Sequence, residues 1–166
     1  SNFTMEDLRN LFKGVEKLKP APEFQTIQID DGYETAYGDW LDFKKPHWPE
    51  GIKPAADLIL SKKMEAGIWV GAFMVSKSST LFKQHPDWML KRKDGSYFEE
   101  MGGSSVVLDT SHPDAMAYIR SVFRYMRKAG FTFYKTDFMD WGFQDSVVAD
   151  RYTKGKTSVQ YFRETL

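Results

Sequence analysis

Phe131-Thr132-Phe133-Tyr134-Lys135-Thr136-Asp137-Phe138 is the stretch that decides the fold of this chain. Gly130 closes a helical pattern before it, and an aromatic, β-prone run then drives into Lys-Thr-Asp. Lys135 and Asp137 are two positions apart, so on a strand they point to the same face. A carboxylate beside an ammonium stays ionised at neutral pH, because the opposite charge favours its charged form. That makes Asp137 a candidate nucleophile. A strand-end ion pair, with the Asp capping the following loop, accounts for this segment equally well.

Working outward, the chain repeats the same grammar. Thr4 with Asp7 is a loose capping signal. Leu8, Leu11, Phe12, Val15 and Leu18 then keep helical spacing until Pro20 and Pro22 stop the helix. Phe24 to Ile29 reads as a short strand that ends in Asp30-Asp31-Gly32-Tyr33. The stretch Glu34 to Lys53 is long for a connection, and Tyr37, Trp40 and Trp48 within it point to an ordered one. Pro54 suits the first turn of a second helix, with Ala55, Ala56, Ile59, Leu60 and Met64 on its buried face and Gly67 as its stop. Residues 68–75 (Ile-Trp-Val-Gly-Ala-Phe-Met-Val) form the most continuous apolar run, as a strand buried on both faces requires.

Ser78 to Gln84 reads as a short helical turn closed by His85-Pro86. Residues 88–98 read as a small hairpin with Asp94-Gly95 as its two-residue turn. Ser111-His112-Pro113 opens a third helix, whose core face holds Ala115, Met116, Ile119, Val122, Phe123 and Met126. A final helical start covers Thr157 to Leu166.

The resulting order, α-β-α-β-α-β-α, implies parallel strands joined by right-handed helical crossovers. No Gly-x-Gly-x-x-Gly follows a strand, so a nucleotide-binding fold lacks its signature. What the strands share is the chemistry of their C-terminal ends. The first ends in Asp30-Asp31, the second holds Trp69, and the third carries Lys135-x-Asp137. In α/β barrels the active site lies at those ends. Strands sit about 4.8 Å apart, so three in a row span roughly 10 Å, the size of one sugar ring. Taken singly, Asp-Asp-Gly is more often a turn and Trp69 a core residue. His47, His85 and His112 lie in turn-like sequence and read as loop or cap residues. Their separation, with no tight His/Asp/Glu cluster, argues against a metal site.

Composition narrows the classes. Hydrophobic content of 42% with 28% charged residues reads as globular. Lys+Arg and Asp+Glu are both 23, which gives no charge excess to attract nucleic acid or an anionic membrane. No apolar run approaches the roughly 18 residues of a membrane span. Zero cysteines exclude disulfides and thiol chemistry. The aromatic share of 16%, with five Trp, suits a sugar-stacking site or a heavy core. No basic-then-apolar leader opens the sequence; the compartment is left open, with the cytoplasm as the default expectation.

With these residues assembled, the sequence resembles the retaining α-galactosidases of glycoside hydrolase family 36, in the melibiase clan. The matching pieces are Asp30-Asp31-Gly32-Tyr33, Gly38-Asp39-Trp40, Gly67-Ile68-Trp69, Met74-Val75-Ser76, His85-Pro86-Asp87-Trp88, Leu108-Asp109-x-Ser111 and Tyr134-Lys135-x-Asp137-Phe138. They occur in the family's order and cover nearly the whole chain.

The resemblance implies that Asp137 is the catalytic nucleophile and that Lys135 holds ring hydroxyls. It implies that Asp30 and Asp31 bind the hydroxyls at C4 and C6 of galactose and that Trp69 lines the sugar site. The expected partner is therefore a carbohydrate, a terminal α-galactoside, and the glycosidase chemistry so implied needs no cofactor. The family's usual Arg before the Leu-Asp piece is replaced here by Gly102-Gly103-Ser104-Ser105. Thr136 stands where Trp or Ile is common, and Gly71-Ala72-Phe73 where an acidic residue is common. These departures bear on the choice of sugar more than on the reaction class.

A full (β/α)8 barrel takes about 250 residues. The expectation is therefore a partial TIM barrel over 1–166, about strands two to four with their helices, without the first strand and the later half. The general acid/base is expected outside these residues. The alternative is a non-catalytic, truncated or sugar-binding half-barrel that self-associates through open sheet edges.

Overall fold

The computed structural model describes residues 3–18, 20 and 23–165. In chain order the elements are α1 (Met5–Val15), β1 (Thr26–Ile29), α2 (Lys53–Ser61), β2 (Glu65–Val70), β3 (Met74–Ser76), α3 (Thr80–Gln84), β4 (Lys91–Arg92), β5 (Glu99–Glu100), β6 (Ser105–Val107), α4 (Pro113–Ala129), β7 (Phe133–Thr136), β8 (Ala149–Asp150) and α5 (Ser158–Thr165). They divide into two compact units. The first holds residues 1–35, 41–70 and 124–135; the second holds 36–40, 71–123 and 136–166.

The first unit is built on an α/β sheet with the order β1-β2-β7. β1 runs parallel to β2 with Gln28 opposite Gly67 and Ile29 opposite Ile68, and the three strands together are parallel. Each strand of this sheet overlaps one of the strand regions expected from sequence, in an open order. β2, the central strand, is buried from Ala66 to Val70, as a strand covered on both faces must be. Alternation assigns one face to Ile29, Ala66, Ile68 and Val70, all at most 2% exposed. α2 packs against β2 with Ala55, Ala56 and Ile59, each fully buried.

Sequence signals set the helix boundaries with two corrections. Thr4 and Asp7 form a reciprocal capping box, Thr4 Oγ1 accepting the Asp7 N–H at 3.2 Å and the Thr4 N–H donating to Asp7 Oδ2 at 2.9 Å. α1 then ends at Val15, and only Leu8 and Phe12 are buried on it; Leu18 lies past its end, 52% exposed. Pro20 is therefore not what stops it, and Pro22 lies outside the described residues. α2 ends at Ser61, and Lys63 takes the left-handed turn with φ 59°. Gly67 is not a helix stop. It sits inside β2, where a Cβ would meet Phe133 Cδ1 at 2.9 Å and Gln28 Cβ at 3.1 Å. Gly130 does end its helix, with φ 114° and the Leu60 methyl 3.1 Å from where its Cβ would be.

The second unit corrects a further reading. Residues 68–75 are not one strand. The chain turns at Gly71 to Phe73, where Met74 N–H donates to the Gly71 carbonyl at 2.8 Å. Residues 74–76 then pair antiparallel with β6, Met74 opposite Val107, in a separate sheet of order β3-β6-β5. Continuous hydrophobicity hid the break because Phe73, Met74 and Val75 are as buried as the strand before them. The hairpin over 88–98 forms, with Phe98 N–H on the Leu90 carbonyl at 3.2 Å. Its loop is three residues long rather than two, because Arg92 N–H bonds the Ser96 carbonyl at 2.7 Å. Gly95 supplies the left-handed position, φ 86°.

The glycine in β2 gives a direct test of the sheet's register. Gly67→Ala is expected to cost about 1–3 kcal/mol by overpacking, measured by urea unfolding. In a Phe133→Ala background the same change is expected to cost clearly less, since the ring it strikes is gone. Equal costs in the two backgrounds would mean that Phe133 does not lie beside Gly67.

Candidate functional site

In the first unit, the gap at Gly67 fixes which side chains share a face. The missing Cβ would touch Gln28 and Phe133, so these three positions form one row across β1, β2 and β7. Two residues further along each strand is the next row on that face: Asp30, Trp69 and Lys135. These are three of the residues expected from sequence, drawn from three strands.

Asp30 and Lys135 meet directly. Lys135 Nζ donates to Asp30 Oδ2 at 3.0 Å, although the two are far apart in sequence. The same oxygen accepts Gln28 Nε2 at 2.9 Å, and Asp30 Oδ1 accepts the Asp31 N–H at 2.8 Å. Burial pushes the Asp30 carboxyl up. The Asp31 N–H, Lys135 and Gln28 together outweigh it, and the net shift is below the ordinary carboxylate value. Both members of the pair remain about half exposed, Lys135 at 44% and Asp30 at 55%. Gln28 was not singled out from sequence, yet the i, i+2 rule applied backward from Asp30 would have found it.

Trp69 is 2% exposed, and its carbonyl accepts the Tyr33 hydroxyl at 3.0 Å. That bond ties the Asp30-Asp31-Gly32-Tyr33 turn to the central strand. Asp31 is half-buried, and its carboxylate acts on Glu34 three residues on. Glu34 itself is only 2% exposed. Burial, with the Asp31 carboxylate beside it, pushes the Glu34 carboxyl from 4.5 up to about 7. Its contribution to stability is therefore complete below its ordinary value and is lost as pH rises toward 7. Sequence reasoning missed Glu34. An acidic residue in a loop is normally solvated, whereas Glu34 is buried in a segment that bridges antiparallel to Phe43.

In the second unit, Asp137 follows the end of β7. Its Oδ1 accepts the Phe138 N–H at 2.9 Å, and Phe138 takes a left-handed conformation, φ 51°. A non-glycine residue held there is an uncommon backbone choice that clusters at functional sites. Asp39 and Asp109, both within pieces that match the family, have local roles. Asp39 accepts the Thr80 and Leu81 N–H groups at 2.8 and 2.9 Å at the start of α3. Asp109 lies 3.6 Å from Arg151, both nearly inaccessible, and accepts the Tyr152 N–H at 2.6 Å. His85 stacks on Trp88 with ring centroids 3.9 Å apart. His112 Nδ1 accepts the Asp114 N–H at 3.3 Å in the first turn of α4. Among the described residues no group of three or more His, Asp or Glu is placed to hold a metal ion. No helix among them is long and apolar enough to cross a membrane.

The melibiase family pattern matches residues 24–161, and the chain belongs to that family, the α-galactosidases of glycoside hydrolase family 36. The alpha-galactosidase of Escherichia coli is 34% identical over 105 residues, 59% of this chain and 14% of that protein. The probable alpha-galactosidase G of Emericella nidulans is 32% identical over 129 residues, 67% of this chain and 17% of that protein. The chain thus spans a small part of its relatives' length. Among solved structures, the fold matches TtGalA, the alpha-galactosidase from Thermus thermophilus solved in complex with stachyose. The TM-score is 0.77 at 24% identity, over 95% of this chain and 32% of that one. AgaA from Geobacillus stearothermophilus, as the A355E D548N variant in complex with raffinose, aligns with a TM-score of 0.67 at 26% identity, over 81% of this chain and 19% of that one.

The electrostatics of Asp30 are open to measurement. Lys135→Met is expected to raise the Asp30 carboxyl midpoint, read by carboxyl 13C NMR. Stability is expected to change by less than about 1 kcal/mol, because exposed ion pairs contribute little. The stability Asp30 does contribute is present above the ordinary carboxylate range and lost as pH falls through its lowered midpoint. An unmoved midpoint would mean that Lys135 does not hold Asp30 in solution.

Proposed function

We propose that this chain is the sugar-binding and nucleophile-bearing part of a retaining α-galactosidase catalytic domain, about strands two to four of a (β/α)8 barrel. The observation that carries the reading is the 3.0 Å contact of Lys135 with Asp30 at the C-terminal end of the parallel sheet, in a chain of the melibiase family. Partly exposed acceptors and an ammonium on one rim suit the hydroxyls of a terminal galactose-type sugar. In this reading Asp30, Asp31 and Lys135 bind hydroxyls, and Trp69 forms the wall of the sugar site.

Asp137 is the nucleophile. Its carboxylate attacks the anomeric carbon, the glycosidic oxygen leaves with the aglycone, and water then hydrolyses the glycosyl–enzyme ester. Retaining hydrolysis also needs a second carboxyl about 5–5.5 Å from the first. No residue of this chain is assigned to that work. A second reading, a non-catalytic sugar-binding unit that self-associates, is favoured by Phe133, which is 42% exposed on an outermost strand of the sheet.

A leaving group that needs little protonation separates these readings. With a 2,4-dinitrophenyl α-galactoside, the purified chain is expected to give a slow burst of phenol limited to one equivalent. Asp137→Ala is expected to give none, and an unactivated galactoside is expected not to turn over. A burst that survives Asp137→Ala would remove the nucleophile assignment. Turnover of the unactivated substrate would mean that a second catalytic carboxyl lies within these residues.

A further inference from the structure

We infer that Gln28 is a positioning residue, whose side-chain amide holds Asp30 so that its carboxylate presents a single open acceptor, on Oδ1, to one sugar hydroxyl. The inference deepens the sugar-site reading above and rests on it for the identity of the ligand.

Three donors reach the Asp30 carboxylate among the described residues. Gln28 Nε2 and Lys135 Nζ both donate to Oδ2, at 2.9 and 3.0 Å, and the Asp31 N–H donates to Oδ1 at 2.8 Å. An ionised carboxylate offers about four acceptor sites, two on each oxygen. Oδ2 is therefore filled, and the site left over belongs to Oδ1. A carboxylate can only accept, which also settles the Gln28 amide. Its NH2 end, not its carbonyl oxygen, faces Asp30.

Of these donors, Gln28 is the one built to orient. The Asp31 N–H belongs to the next residue and moves with Asp30 along the chain. Lys135 reaches across the sheet from β7. Its ammonium is a point charge on a flexible four-carbon stem, so it holds a carboxylate without fixing its plane. Gln28 sits two residues back on β1, on the same face of the sheet, and its amide is planar. Gly67 lies opposite it. A Cβ there would come within 3.1 Å of the Gln28 Cβ and 3.3 Å of its Cα. A side chain at position 67 would therefore push the Gln28 stem aside, and the glycine leaves it where its amide meets Asp30.

The test uses the 166-residue chain, 13C-labelled at Asp and Glu carboxyls, with Gln28→Met removing the amide at similar length. In this variant the Asp30 midpoint, titrated by NMR, is expected to rise, because one donor to the charged form is lost. An unmoved midpoint overturns the hold of Gln28 on Asp30. The same spectra then follow binding of galactose, 4-deoxygalactose and 6-deoxygalactose at neutral pH. The deoxy sugars lack in turn the two hydroxyls expected at Asp30 and Asp31. Gln28→Met is expected to weaken galactose about three- to tenfold, the net worth of one hydrogen bond. One deoxy sugar is expected to lose as much. The other, which lacks the hydroxyl that Asp30 accepts, is expected to lose nothing.

A purely structural Gln28 would weaken all three sugars alike, and that result overturns the positioning role. Galactose binding indifferent to Gln28→Met overturns it too. A loss for galactose but for neither deoxy sugar would mean that Asp30 accepts both hydroxyls, which overturns the single open acceptor. Galactose that does not bind the unaltered chain would instead sink the sugar-site reading and with it the hydroxyl-orienting role. The Asp30 titration decides the hold of Gln28 on Asp30 in either case.

Discussion

The contact between Lys135 and Asp30, 3.0 Å across the parallel sheet, depends on an exact strand register and on a position without a side chain. The two residues sit on the outer strands, with β2 between them. They share a row only because Gln28 lies opposite Gly67, and the strand period of two carries that pairing forward to Asp30 and Trp69. A slip of one residue in β1 would send Asp30 to the face occupied by Ile29 and Ile68. The buried apolar face forbids that slip, so hydrophobic burial on one side of the sheet places the polar groups on the other. The pair itself contributes little stability because both partners are exposed. Its value is positional.

The tandem carboxylates after β1 show how one dipeptide can supply two unlike groups. Asp30 remains at the solvent edge with an ammonium and two donors, and its pKa falls. Asp31 is half-buried in the following turn, where burial and the Asp31 charge push the Glu34 carboxyl up to about 7. The turn is held by Tyr33, whose hydroxyl bonds the Trp69 carbonyl on β2. In the proposed sugar site these groups serve hydroxyl recognition, which requires acceptors and donors in fixed orientation.

The second unit has its own logic. After Phe73 the chain leaves the parallel sheet and enters an antiparallel one. Gly142 lies against the Phe73 ring, where an added Cβ would approach Cε2 to 2.7 Å. Asp109, expected from sequence to carry family character, is sealed with Arg151 at 3% exposure for each residue. Such a pair is costly to break because the remaining charge would stay buried. It fixes the segment around Tyr152, whose N–H it accepts.

The sequence by itself determined the three parallel strand regions, the helix over 113–129, the capping box of α1 and the residues at the strand ends. Each of these is written in local signals: apolar periodicity, a cap residue, a terminal glycine or a charged motif after a hydrophobic run. It misjudged Gly67, which looked like a helix stop, and residues 68–75, which looked like one strand. A glycine signals only that a side chain is unwelcome, and the reason here is the approach of Phe133 and Gln28 from neighbouring strands. Likewise, a buried apolar run carries no mark of which sheet each residue joins. Glu34 was invisible for the same cause. It bridges Phe43 in antiparallel pairing and is 2% exposed, and burial is a property of contacts between segments rather than of the residue itself.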